Sequence, residues 1–134
     1  MSSAALVIPI AAGYAAVLAM LMAVLMLAVI RLRRKLKVGL GDGGIKELQC
    51  AIRAHGNAIE TIPMFLILLA LLEANGGKPV FLHACGLIFV AARVFHAYAL
   101  SGHGGTSLGR LSGTVVTISM FFTLAVANLI KLFG

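Results

Sequence analysis

Charge is the scarcest property of this chain. Only 11% of its 134 residues are Asp, Glu, Lys or Arg, and four are acidic; an average soluble domain carries roughly 25%. With 61% hydrophobic residues and a mean hydropathy of +1.08, there are too few polar side chains to cover a water-facing globule. Tryptophan is absent and cysteine occurs twice. Cys50 and Cys85 stand in different apolar segments without CxxC or metal-ligand spacing, so buried free thiols are expected rather than a disulfide framework. The four histidines form no HxxxH or HExxH pattern, so no metal site is expected.

The chain does have long apolar runs. They predict helices at about 4–32, 46–74, 79–101 and 108–132, each reaching the ~20 residues that cross a hydrocarbon core. The expected fold is an all-α integral membrane protein, one four-transmembrane-helix bundle over residues 1–134, with no room for a separate soluble domain. The first run is longer than the apolar core of a signal peptide, and its basic cluster follows rather than precedes it, so it reads as a retained helix. A small proton-coupled multidrug transporter would have similar length and four helices, but it needs a membrane-embedded carboxylate in the first helix. None is present there.

The net charge of +7 is unevenly placed. RLRRKLK, residues 31–37, puts five cations directly after the first helix, and Lys46 adds another, whereas the turn EANGGKP at 73–79 has one lysine. By the positive-inside rule, loops one and three are cytoplasmic and both termini lie on the other side. A juxtamembrane cluster of this kind is a topology signal and a contact for anionic membrane lipid, so no nucleic acid is expected. The glycine-rich GLGDGG at 39–44 lacks the Lys-Ser/Thr ending of a phosphate-binding loop.

The remaining polar groups concentrate in IRAHGNAIETIP, residues 52–63. At ~100° per residue, Arg53, Asn57 and Glu60 fall at relative angles of about 0°, 40° and −20° and form a stripe, whereas His55 points away. The apolar half beyond them, TIPMFLILLALL, is roughly 18 Å of helix, too short to span alone, so the polar half must enter the bundle or stand at its mouth. Pro63 should bend the helix there. In the third helix Arg93 and His96 are one turn apart, and Arg110 opens the fourth on the same side of the membrane. Three such charges facing lipid would cost on the order of 8 to 10 kcal/mol, so they must be paired, wetted or ligand-bound. One outcome is an internal salt bridge from Glu60 to Arg53 or Arg93 that only fixes packing. The other is an anionic ligand, favoured by the excess of arginine over glutamate.

ELQCAIRAHGNAIETIP, residues 47–63, resembles the second-helix signature of the membrane-associated proteins in eicosanoid and glutathione metabolism, the MAPEG family. That signature reads E, a spacer, then RAxxNxxExxP, and the RAH opening is most similar to the microsomal glutathione transferase branch. RLRRKLK, ARVFHAY in the third helix and an arginine opening the fourth also sit where that family has similar elements. The resemblance implies a homotrimer of four-helix subunits that binds glutathione as co-substrate at subunit interfaces near the cytoplasmic boundary. Carried over by position, Arg53, Asn57 and Glu60 resemble the glutathione-binding stripe, Arg93 and His96 its third-helix complement, and Arg31 or Arg34 a closing residue from a neighbouring first helix. Arg110 resembles the catalytic arginine that stabilises the glutathione thiolate. Around the third-helix arginine, where family members often have tyrosines, this chain has Phe95, His96 and Leu100.

The implied activity is that of a glutathione transferase, or peroxidase, acting on a hydrophobic small-molecule electrophile or lipid hydroperoxide. The alternative is a non-catalytic member that binds glutathione or lipid. Glutathione's two carboxylates and one ammonium suit several arginine forks and a single glutamate. Lowering a thiol pKa of about 8.5 by two units needs about 2.7 kcal/mol of preferential thiolate stabilisation, within reach of one or two guanidinium contacts. A short chain suits the bacterial branch and an inner membrane, with the endoplasmic reticulum as fallback.

Overall fold

The computed structural model describes residues 7–102 and 108–134, with side chains over 7–100 and 111–134. Its four helices are α1 (Pro9–Leu36), α2 (Lys46–Ala74), α3 (Pro79–Gly102) and α4 (Leu108–Phe133). All four are long and apolar enough to cross a membrane, and no strand occurs among the described residues.

The boundaries of α1 differ from the predicted 4–32. Residues 4–6 lie outside the described residues, Val7 and Ile8 precede the helix, and a proline opens it. Proline's fixed φ and missing N–H suit a first helical position. At the other end the helix runs on through the basic run to Leu36, with Arg33, Arg34 and Lys35 in its last turn, where cations meet the negative end of the helix dipole. Lys37 then takes a left-handed conformation at φ 55°, and the Lys37 and Val38 N–H groups donate back to the carbonyls of Arg34 and Arg33, closing the helix as a Schellman motif. The second helix stays continuous through Pro63.

Named contacts fix the helix directions. The start of α1 meets the end of α2, where Glu73 Oε1 and Oε2 accept the Ile10 and Ala11 N–H groups at 2.9 and 2.7 Å. Tyr14 of α1 donates its hydroxyl to the His83 carbonyl near the start of α3 at 3.1 Å. At the same end of the bundle, Asn128 near the end of α4 donates to the Leu68 carbonyl of α2 at 3.0 Å. Helix α2 packs against all three others, and α3 against α1, α2 and α4, so α2 and α3 form the centre of the bundle.

Buried residues recur at coiled-coil spacing: Ala11, Leu18 and Leu25 on α1; Ala54, Ala58, Ile62, Phe65, Leu69 and Leu72 on α2; Leu82, Cys85 and Phe89 on α3. Outside, α1 exposes Met20, Val24 and Leu27, and α4 exposes Ile118, Phe122 and Val126, an apolar skin matched to lipid. Lipid tails are as apolar as these side chains, so the bundle is held by close packing and polar ties rather than by expulsion of water. Phe65 and Phe89 stack face to face at 3.7 Å between centroids in the core.

Glu73 is such a tie. Its carboxylate satisfies two of the backbone donors that every helix start leaves unpaired and adds negative charge at the positive end of the dipole. Glu73→Ala is expected to lower the stability of the detergent-solubilised protein by about 1 to 2 kcal/mol, read as an earlier thermal transition by circular dichroism, with Glu73→Gln intermediate.

Candidate functional site

The polar stripe of α2 divides in two. Arg53 and Glu60 lie on the outer surface of the bundle, with side chains 61% and 59% exposed, and Arg53 Nη1 stands 3.9 Å from Glu60 Oε1. Such a long, open contact is weak in water, worth about 0 to 1 kcal/mol. Asn57, between them in the sequence and half-buried, turns toward α3 and accepts a hydrogen bond from Arg93 Nη1.

Arg93 is inside the bundle, 3% exposed. Besides Asn57, its Nη1 reaches Thr61 Oγ1 at 3.4 Å, and Nη2 donates to the Gly113 carbonyl of α4 at 2.7 Å. Thr117 Oγ1 donates to the same carbonyl at 2.8 Å, and Thr61 Oγ1 donates to the Asn57 carbonyl at 2.7 Å. The guanidinium carbon is 5.7 Å from the centre of the Phe89 ring, within cation–π range. Buried charge is costly unless its donors are satisfied. Here the described partners of the guanidinium are neutral oxygens drawn from α2 and α4, so this cation stitches three helices together.

His96, one turn along α3, is also buried and packs against Gly113, where a Cβ would stand 2.8 Å from the His96 Cβ. Arg31 and Arg34 are exposed at the end of α1. Arg33 behaves differently from its neighbours: its Nη1 donates to the Gly41 carbonyl at 2.8 Å, with the Val38 and Gly39 carbonyls at 3.4 Å, and so it folds the glycine-rich loop onto the helix. Arg110 belongs to α4, but its side chain lies outside the described residues. An open apolar groove of about 460 Å³ between α3 and α4, lined by Ile88, Ala92, Phe95 and Val116 among others, shares Gly113 with the Arg93 network.

Of the residues expected in a site, the structure thus joins Asn57 to Arg93 and Arg53 to Glu60, and leaves Arg31 and Arg34 exposed on the surface of the subunit. Sequence reasoning missed Thr61, Gly113 and Thr117. Thr61 follows Asn57 by one helical turn, and the Gly113–Thr117 pair repeats that spacing, a signal of small and hydroxyl residues that let helices approach and bond.

Two comparisons bear on this arrangement. The chain is 38% identical over 120 residues, covering 90% of each protein, to the "Inner membrane protein YecN" of Escherichia coli strain K12, and equally to the protein of that name from strain CFT073 of serotype O6:H1. The sequence model of the MAPEG family matches residues 11–130. A match over nearly the whole length, with the stripe, the Arg93 network and the four helices all inside it, places this multi-pass membrane protein in the MAPEG family.

Proposed function

We propose that the protein is a glutathione-dependent membrane transferase or peroxidase that works as a homotrimer in a bacterial inner membrane, with loops one and three cytoplasmic. The observation that carries this reading is the exposed pair of Arg53 and Glu60 on a membrane-crossing helix. Glu60 stands midway along the 29 residues of α2, about 21 Å from either end, where lipid exposure of a charge costs about 2.5 to 3.5 kcal/mol. A neighbouring subunit covering the stripe removes that cost, and the pocket closed in this way holds two cations, an amide and a carboxylate if Arg31 or Arg34 joins from the neighbour. That set matches glutathione's two carboxylates, peptide amides and ammonium. The competing reading is an ion pair that only fixes packing, favoured by the contact Arg53 and Glu60 already make.

Arg110 takes the role of thiolate stabiliser in this proposal, by its place in the family pattern. The apolar groove beside Gly113 offers a lipophilic electrophile or hydroperoxide an approach from the bilayer. The test is thiolate absorbance in the ultraviolet when glutathione is added to the detergent-solubilised protein near neutral pH. A saturable signal is expected. Arg110→Ala should reduce its amplitude about threefold if the bound thiol loses one unit of pKa lowering, and more if it loses both, with affinity within about threefold of the unmodified protein. Binding without thiolate would support the non-catalytic reading, and absence of calorimetric binding would remove glutathione altogether.

A further inference from the structure

An asparagine amide presents an acceptor on one edge and a donor on the other, nearly identical in shape, so its neighbours decide which way it faces. For Asn57 the neighbour is Arg93, whose guanidinium carries donors only. Arg93 Nη1 meets Asn57 Oδ1, so the amide oxygen is committed to α3 and the Nδ2 amino group lies on the other edge of the amide. We infer that Arg93 is a positioning residue that locks Asn57 as a hydrogen-bond donor, so that Asn57 receives a carboxylate or amide carbonyl of the ligand and Arg93 itself touches no ligand.

The surroundings of Arg93 enforce this. The Thr61 hydroxyl spends its proton on the Asn57 carbonyl at 2.7 Å and therefore turns its lone pairs to Arg93 Nη1 at 3.4 Å. From the other side the Gly113 carbonyl, 2.7 Å from Nη2, holds the guanidinium in plane. Phe89, with its ring centre 5.7 Å away, limits movement further. A side chain 3% exposed and anchored on α2 and α4 cannot swing out to a ligand on the subunit surface without giving up its bonds to Asn57, Thr61 and Gly113, and buried acceptors that lose a donor are costly. The site then has a division of labour: Glu60 is its acceptor, for an ammonium, while Arg53 and Asn57 are its donors, for oxygens.

The ligand side of this inference rests on the glutathione reading; the amide lock does not, and the test separates them. In the full chain without glutathione, with asparagine labelled by nitrogen-15, the side-chain NH₂ signals of Asn57 are assigned by their loss in Asn57→Asp. They should shift in Arg93→Met, which has no donor, and stay near their original position in Arg93→Lys, which keeps one. Unmoved signals in Arg93→Met would overturn the lock whether or not glutathione binds. In calorimetry with glutathione, Arg93→Lys should bind within about threefold of the unmodified protein, Thr61→Val about threefold to tenfold more weakly, and Arg93→Met and Asn57→Asp at least about tenfold more weakly, as expected for loss of one to two hydrogen bonds. Arg93→Lys as weak as Arg93→Met would instead make Arg93 a direct fork on the ligand and overturn the positioning role. If the unmodified protein binds no glutathione while the signals shift, the function proposed above falls and the lock stands.

Discussion

Glu60→Gln is expected to weaken glutathione binding by about ten- to a hundredfold, because it removes the negative partner of the ligand's ammonium at a cost of about 1.5 to 3 kcal/mol. The substitution is nearly isosteric, so packing on α2 is preserved and the loss reports charge. Two features make Glu60 suited to this test. Its carboxylate is largely exposed on the isolated subunit, so it is not consumed by internal bonds as Arg93 is. Its one ion-pair partner among the described residues, Arg53, sits at 3.9 Å, a loose contact that a ligand can replace. A packing-only ion pair predicts the reverse: glutathione affinity unaltered and thermal stability reduced. Calorimetry and a thermal melt on the same preparation distinguish the two.

The helices were legible in the sequence because hydrophobic length and glycine-proline punctuation act locally. The turn at 73–79 ends α2 and starts α3 where Gly and Pro stand. The end of α1 was less so: a basic run reads as leaving the membrane, yet nothing in Arg31–Leu36 breaks a helix, and the dipole favours cations there. The nearness of Arg53 and Glu60 on α2 was legible from angles alone, but the turning of Asn57 toward α3 was not. What angles on one helix do not supply is a partner. Arg53 and Arg93 are the same residue type in apolar surroundings, yet one is on the outer surface and the other in the core, and the difference comes from α3. Its buried positions Leu82, Cys85, Phe89, Arg93, His96 and Leu100 advance by three or four residues, so Arg93 lies on the packing seam of its helix. On a segment this uniformly apolar the seam is hard to see, because lipid-facing and core-facing residues have the same chemistry. Arg33 was hidden in the same way, as one of five cations in a run of which, among the described residues, it alone bonds the loop carbonyls.

Gly86→Ala is expected to be among the most destabilising single-methyl changes in the bundle. A Cβ at this position would stand 2.3 Å from the Tyr14 Cε2 and Cζ atoms and 2.6 Å from Cδ2, a full overlap that requires the ring or the helix to move. The ring is not free to do so, since its hydroxyl lies 3.1 Å from both His83 Nδ1 and the His83 carbonyl. Swinging it away costs about 1 kcal/mol for a lost hydrogen bond, and separating the helices forfeits contact along the seam, so a total of about 2 to 4 kcal/mol is expected. Gly13→Ala is the matched control: nothing lies within 4 Å of its added Cβ, and alanine is the better helix former by about 0.5 to 1 kcal/mol, so it should leave stability equal or slightly raised. Tyr14→Ala opens the space that Gly86→Ala needs, and the double variant should lose less than the sum of the two singles. Because α1 packs on α2 and α3 but makes no contact with α4 among the described residues, loosening Gly86 removes one of two supports of the helix that carries Arg31 and Arg34. If those arginines close a neighbouring pocket, Gly86→Ala should weaken glutathione binding as well as stability, and Gly13→Ala should change neither adversely. Full binding at a lowered melting temperature would instead detach α1 from the site.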